Sequence, residues 1–353
     1  MLTQKQIKEI REHLDKAQNP IFFYDNDQDG LCSFLLLRRY IERGKGVCIK
    51  SYPALTKEYF RKVEELGADY IFILDKPIVA DDFFEESLKF NIPIVWIDHH
   101  NPDEPIKVFN NVNYYNSLLS GPKTQETGEP VTYICYKIAN KKEDMWIALI
   151  GCLADRYFPE FYDDFKEKYP ELTIESKNPA EIFYKSKIGE LARIFSFGLK
   201  DRTTNVVKMQ KFLIKAKSPY DVLEETKDNF TIHYKYNELN TKYQKFLKKA
   251  IKIGENEDKV LFFKFGGDLS IAGDIAGELN FLFPTKIIFV AYERGDKINM
   301  SLRGDNVREP LLEIINNFEN ATGGGHKNAV GGTVRAKDLD DFKKAFESIV
   351  TRR

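Results

Sequence analysis

The stretch Tyr24-Asp25-Asn26-Asp27-Gln28-Asp29-Gly30 decides how this chain is read. It follows the apolar run Ile21-Phe22-Phe23-Tyr24, a short buried strand entered through Asn19-Pro20. Three carboxylates at alternate positions in the turn leaving a strand crowd their charges together, and such a turn repels itself unless cations neutralise it. The pattern points to a metal site. The plainer alternative is a solvated turn capping the next helix. A calcium loop of the EF-hand type begins the same way, but its twelfth position must be a glutamate, and here that position is Leu36.

Working outward, residues 31–43 read as a helix apolar on nearly every side, closed by Gly44-x-Gly46, with a second strand at 47–52. A helix at 57–66 stops at Gly67, and the strand Tyr70-Ile71-Phe72-Ile73-Leu74 ends at Asp75. A helix at 81–89 precedes the strand Ile94-Val95-Trp96-Ile97, which ends at Asp98-His99-His100. Upstream, residues 1–16 form an amphipathic helix with Ile7, Ile10 and Leu14 on one face. This alternation, with strands apolar almost throughout, predicts an α/β fold with a parallel, doubly wound sheet. In such sheets function gathers at the carboxyl ends of the strands. The acidic turn, Asp75 and Asp98-His99-His100 each fall at one of those ends, which a solvated turn does not explain. Helices at 130–140 and 144–154 then lead to a further acid, Asp155.

At 353 residues the chain is long for one core, so more than one domain is expected. The expected division is a catalytic, metal-binding domain at 1–195, a helical connector at 196–254, and a smaller α/β domain at 255–353. That last part reads as a strand from 260, a helix at 274–280, strands at 286–291 and 298–302, a helix at 310–318, the glycine cluster Gly323-Gly324-Gly325-His326 as a loop, and a closing helix at 339–350. Lys plus Arg (53) nearly cancel Asp plus Glu (54), so no global basic field advertises nucleic acid, and polyanion contacts would be local or metal-mediated. Cys32, Cys48, Cys135 and Cys152 lack C-x-x-C spacing, and the first 16 residues lack a signal-peptide core. A cytoplasmic protein without a membrane span is the expectation.

Asp oxygens with one or two imidazoles and no thiolates favour Mn²⁺, with Mg²⁺ as the alternative and zinc less suited. Carboxylates from several segments exceed what one divalent ion requires, so two ions are expected, the usual machinery for hydrolysing phosphate esters. A haloacid-dehalogenase-type phosphatase also places Asp-x-Asp after its first strand, but Asp29 stands where it expects Thr or Val, and it needs no His-His pair. Adjacent His99 and His100 point in different directions, so one can ligate while the other faces substrate. The glycines before His326 either form a tight turn or let backbone N–H groups approach an anion. Arg303, on the strand with Ser301, is either a phosphate contact or a surface ion-pair partner.

Taken in order, Asp25-x-Asp27-x-Asp29-Gly30, Asp75, Asp98-His99-His100, Asp155, Ser301-Leu302-Arg303 and Gly323-Gly324-Gly325-His326 resemble the motifs of the DHH phosphoesterase superfamily, followed by a DHHA1 domain as in RecJ-type exonucleases. The resemblance implies that Asp25 and Asp27 serve one Mn²⁺, that Asp29, His99 and Asp155 serve the other, and that Asp75 bridges both. It implies His100 beside the scissile phosphate. Ser301, Arg303, the glycines 323–325 and His326 would bind substrate, with the active site in a cleft between the domains. Many members carry His where this chain has Asp25, and the short length is similar to the archaeal RecJ-like type. The function implied is a metal-dependent exonuclease on single-stranded DNA or RNA that releases mononucleotides, with a replication or repair protein as a further partner. The alternatives are a phosphodiesterase for short oligoribonucleotides or cyclic dinucleotides, and a non-catalytic replication scaffold.

Overall fold

The structure is a computed structural model that describes residues 1–50, 54–102, 106–107, 109–120, 128–267 and 270–352. It divides into two compact units, Met1–Tyr236 and Asn237–Arg353.

The first unit is built on a five-stranded sheet: β1 (Pro20–Asp25), β2 (Lys45–Ile49), β3 (Tyr70–Leu74), β4 (Ile94–Asp98) and β5 (Val112–Asn116). The strand order is β2-β1-β3-β4-β5 and every pairing is parallel. β1, β3 and β4 are apolar on both faces because both are covered. On one face Phe23, Ile71, Ile73 and Trp96 pack against Phe60 and Val63 of α3 (Phe60–Leu66) and Phe83 and Phe84 of α4 (Asp81–Lys89). The other face meets α2 (Gln28–Ile41), where Phe34 stacks on Tyr24, 5.2 Å between ring centroids. Around these lie α1 (Gln4–Lys16), α5 (Val131–Ala139) and α6 (Met145–Ala154). A helical layer follows: α7 (Tyr162–Lys168), α8 (Pro179–Lys185), α9 (Lys187–Leu199), α10 (Thr203–Leu213), α11 (Pro219–Leu223) and α12 (Phe230–Gly254). Residues 51–52 of the expected second strand lie outside the described residues.

The expected acidic turn is shorter than the sequence suggested. α2 starts at Gln28, with Asp27 as its N-cap accepting from the Gly30 N–H at 2.9 Å and Asp29 in its first turn. Gly30 is there for clearance: a Cβ would lie 2.5 Å from the Asp25 carbonyl oxygen. The strand β5 had no signal in the sequence because it is a short edge strand, buried only at Tyr115 and Asn116.

The division at 236 falls inside the expected connector, 196–254, and within α12. Along α12, Tyr236, Leu239, Tyr243, Leu247 and Ala250 are buried at helical spacing, so this aromatic stretch is largely core.

The second unit carries β6 (Val260–Gly266), α13 (Ala272–Leu282), β7 (Ile287–Arg294), β8 (Lys297–Arg303), α14 (Arg308–Ile315), β9 (Thr322–His326), β10 (Ala329–Arg335) and α15 (Leu339–Val350). The sheet order is β9-β10-β8-β7-β6, antiparallel except for the β6–β7 pair. The glycine cluster, read as a loop, is instead the edge strand β9, paired with β10 through Gly323↔Gly332 and Gly324↔Gly331. Glycine is a poor strand former, but a Cβ on Gly323 would come within 2.7 Å of Ile315 and 3.0 Å of Leu311 on α14. No described helix is long and apolar enough to cross a membrane.

Candidate metal centre

In the order β2-β1-β3-β4-β5, the connections leaving β1 and returning to β3 run to opposite sides of β1, which opens a crevice at the carboxyl ends of β1 and β3. Asp25 and Asp27 leave β1 there, Asp75 leaves β3, and Asp98-His99-His100 leaves β4. Asp155 reaches the same place from the end of α6.

His99 is the hub. Its Nε2 lies 3.3 Å from Asp75 Oδ1, 3.3 Å from Asp155 Oδ2 and 3.9 Å from Asp29 Oδ2. Two overlapping sets result, Asp29/His99/Asp155 and Asp75/His99/His100, each with one ligand atom per residue within 4.8 Å of the others. Asp29 is held by more than its own helix. Its carboxylate accepts the Val131 N–H at 2.8 Å and the Thr132 N–H at 2.7 Å, the first N–H groups of α5. A helix N-terminus favours an anion, so the Asp29 carboxylate is well placed to pin α2 to α5.

Asp75 is 2 % exposed and sits in the left-handed region at φ 58°, with its N–H bonded to the Ile97 carbonyl at 3.0 Å. Its Oδ1 is buried with no hydrogen-bond partner among the described residues. Burial, then the charges of Asp29, Asp27 and Asp155, push the Asp75 carboxyl well above its ordinary range. The same combination lifts Asp27 to about 7 (burial, Asp25, Asp29) and Asp155 to about 7 (burial, Asp29). Buried carboxylates that repel one another, an orphaned oxygen between them, and oxygen and imidazole donors without thiolate make a donor set that fits a hard divalent cation.

Asp98, 1 % exposed, is the partner of His100: its Oδ1 lies 2.8 Å from His100 Nδ1, and its Oδ2 accepts the His100 N–H at 3.2 Å. Burial opposes charge on His100, but the Asp98 hydrogen bond and charge outweigh it and raise the imidazole to about 9. Asn116 of β5 donates to the His100 carbonyl at 2.8 Å, which gives the strand missed in the sequence a part in shaping the site.

Asp25 and Asp27 are both outside the two ligand sets, and Asp25 forms an ion pair with Lys76, whose Nζ is 2.8 Å from Asp25 Oδ1. Lys76 is 1 % exposed and was not singled out in the sequence, although a lysine directly after a strand-ending acid was a signal available there. Arg156, beside Asp155, packs over the rings of Phe183 and Tyr184 at 4.6 and 4.7 Å.

The candidate substrate residues lie in the second unit. Register places Arg303, Ala329 and His326 opposite one another across β8, β10 and β9, and Ser301, Gly331 and Gly324 two residues along. Directly opposed residues share a face, so Ser301, Arg303 and His326 project from the same side of the sheet. Arg303 donates to the carbonyls of Leu302 at 2.8 Å and Val330 at 3.1 Å, which fixes its guanidinium. A Cβ on Gly324 would meet nothing within 4 Å among the described residues, so that strip of backbone is open there.

Residues 257–352 match the DHHA1 domain family. Over 99 % of this chain the fold is similar to RecJ from Thermus thermophilus crystallised with Mn²⁺ (TM-score 0.72, 16 % identity). The second unit thus carries a DHHA1 domain, on a chain whose fold is similar to RecJ. The chain spans 54 % of the Thermus RecJ chain. It covers 96 % of a second exonuclease RecJ, bound to manganese (TM-score 0.67, 16 % identity, all of this chain), and 98 % of CDC45 from Entamoeba histolytica (TM-score 0.56, 11 % identity, 99 % of this chain). A search of curated protein sequences found no match. The fold likeness extends over both units, the parallel sheet bearing the acids and histidines and the mixed sheet bearing the glycine strand.

Proposed function

We propose that the protein is a metal-dependent phosphodiesterase that degrades single-stranded DNA or RNA from an end and releases mononucleotides. The observation that carries this reading is the gathering of Asp29, Asp75, His99 and Asp155 from four separate segments around one point, with the Asp75 Oδ1 left without a hydrogen bond among the described residues. Such a cluster is held together against its own charge and is useful only with a cation in it.

Asp29, Asp75, His99 and Asp155 would hold Mn²⁺ or Mg²⁺, with Asp27 beside them. The ion supplies Lewis-acid charge for a phosphoryl group and an acidified water. His100, kept cationic by Asp98, adds a positive charge next to Asp75, where a phosphate oxygen gains negative charge during cleavage. Asp98 sets the ring orientation of His100 and takes no part in bond making. In the DHHA1 domain, Arg303 presents a fixed fork suited to phosphate, with Ser301 and His326 on the same sheet face and the glycine backbone of 323–325 open to an anion. These groups would grip the strand and set its affinity.

The test is purified protein with Mn²⁺ on end-labelled single-stranded DNA and RNA of several lengths, beside the Asp75→Asn variant. Mononucleotide release that requires Mn²⁺, survives increasing length and vanishes in the variant is the expected result. Cleavage that persists in EDTA, or that collapses once the substrate exceeds a few nucleotides, overturns the metal-dependent or the exonuclease part respectively.

A further inference from the structure

The sequence carries more carboxylates than one ion needs, which is why two ions are the expectation from the acids alone. The structure adds a cation of the protein's own. Lys76 is 1 % exposed, and its ammonium is 2.8 Å from Asp25 Oδ1. Its backbone is fixed on both sides: the Lys76 carbonyl accepts from Trp96 Nε1 at 2.9 Å, and the preceding Asp75 N–H donates to Ile97 at 3.0 Å. The lysine stem therefore enters the crevice from a clamped strand end, and a buried ammonium keeps its place only beside a counter-charge.

We infer that Lys76 takes the place of one divalent ion, so that this centre binds a single divalent cation tightly, at Asp29, Asp75, His99 and Asp155, while the lysine ammonium serves as the resident cation at Asp25. The inference deepens the metal-dependent reading above and rests on it. Asp25 lies outside both ligand sets, and its Oδ1 is already engaged by the Lys76 ammonium at 2.8 Å. A dication placed at Asp25 would sit beside a fixed, buried positive charge, where like-charge repulsion is only weakly screened. A Lys76 variant that keeps the positive charge should keep the count, and one that removes it should open a second position for metal.

The experiment is a Mn²⁺ titration of the full chain, with free Mn²⁺ followed by electron paramagnetic resonance and bound metal counted after equilibrium dialysis. Wild type should bind one equivalent tightly, with any second equivalent weaker by more than about 100-fold. Lys76→Met should bind two equivalents within about tenfold of each other, and Lys76→Arg should bind one. Two tight equivalents in wild type, or one in a folded Lys76→Met variant, overturn the inference and leave the metal-dependent reading standing. No tight Mn²⁺ in wild type overturns both. If Lys76→Met does not fold, the wild-type count decides alone.

Discussion

Replacing Asp75 by Asn separates the charge of the centre from its shape. Asp75 adopts φ 58°, a region in which Asn is comfortable and Ala is strained by about 1 kcal/mol, so Asn is the cleaner substitution. Both Asp75 Oδ1 and Asp155 Oδ2 are 3.3 Å from His99 Nε2, so the two carboxylate oxygens are at most about 6.6 Å apart, and two such charges repel by at least about 2.5 kcal/mol at an effective dielectric of about 20. Asp27 and Asp29 add to this, while partial protonation of the group offsets it. In EDTA at pH 8, Asp75→Asn should therefore be more stable than wild type by about 2–4 kcal/mol, a rise in Tm of roughly 5–15 °C for a unit of this size. In saturating Mn²⁺ the order should reverse, because wild type gains the binding free energy of the ion and the variant loses a ligand. Scanning calorimetry in the two conditions reads the crossing. A variant that is less stable than wild type in EDTA would refute the claim that these carboxylates crowd one another, and near-normal hydrolysis by it would refute the role of Asp75.

Three other outcomes are expected. Asp27 and Asp155 titrate near 7 in the folded protein against an ordinary 3.8, so the metal-free fold binds more protons than the unfolded chain: the stabilisation is complete below about pH 4, is lost as pH rises through 7, and amounts to up to about 4 kcal/mol per carboxyl. The Tm of EDTA-treated protein should fall between pH 5 and pH 8, and a flat profile would contradict the crowding. Arg303→Ala and His326→Ala should each raise KM on oligonucleotides by about 10-fold or more, the scale of a lost charge-assisted hydrogen bond. Turnover of a small phosphodiester should be spared, and unchanged KM would make the glycine strand purely structural. Gly30→Ala should destabilise by about 1–3 kcal/mol in urea melts, since the new Cβ lies 2.5 Å from backbone oxygen of Asp25, and should weaken Mn²⁺ binding by displacing α2.

The elements that place the acids were legible because their signals are local. Strands apolar throughout, such as Tyr70–Leu74, announce a sheet covered on both faces, and an acid at the end of such a strand announces the functional edge. The glycine strand was hidden, because its glycines answer to Leu311 and Ile315 on a different element, not to the needs of a turn. Lys76 was hidden for a related reason. Its partner is 51 residues away, and only the parallel pairing of β1 with β3 brings Asp25 and Lys76 together. Asp29 was recognised as a candidate ligand, but its bonds to the start of α5 could not be read from a motif that ends at Gly30.

Those bonds also explain how the last candidate ligand is positioned, since Asp155 follows a helix and not a sheet strand. Asp29 grips the first N–H groups of α5, and the Thr132 hydroxyl donates back to the Asp29 carbonyl at 2.9 Å. Thr132 in turn lies against Gly151 of α6, where any Cβ would run into its hydroxyl, and Gly151 accepts the Asp155 N–H at 3.2 Å. The separation of Asp29 from Asp155 is therefore set by three helices locked through one threonine and one glycine, both away from the proposed chemistry. The sheet fixes the acids of β1 and β3 by register, whereas this side of the centre is fixed by helix packing, and packing is the softer constraint. Loss of the Thr132 side chain should accordingly loosen the Asp29/His99/Asp155 set while leaving Asp75 and its backbone bond to Ile97 in place.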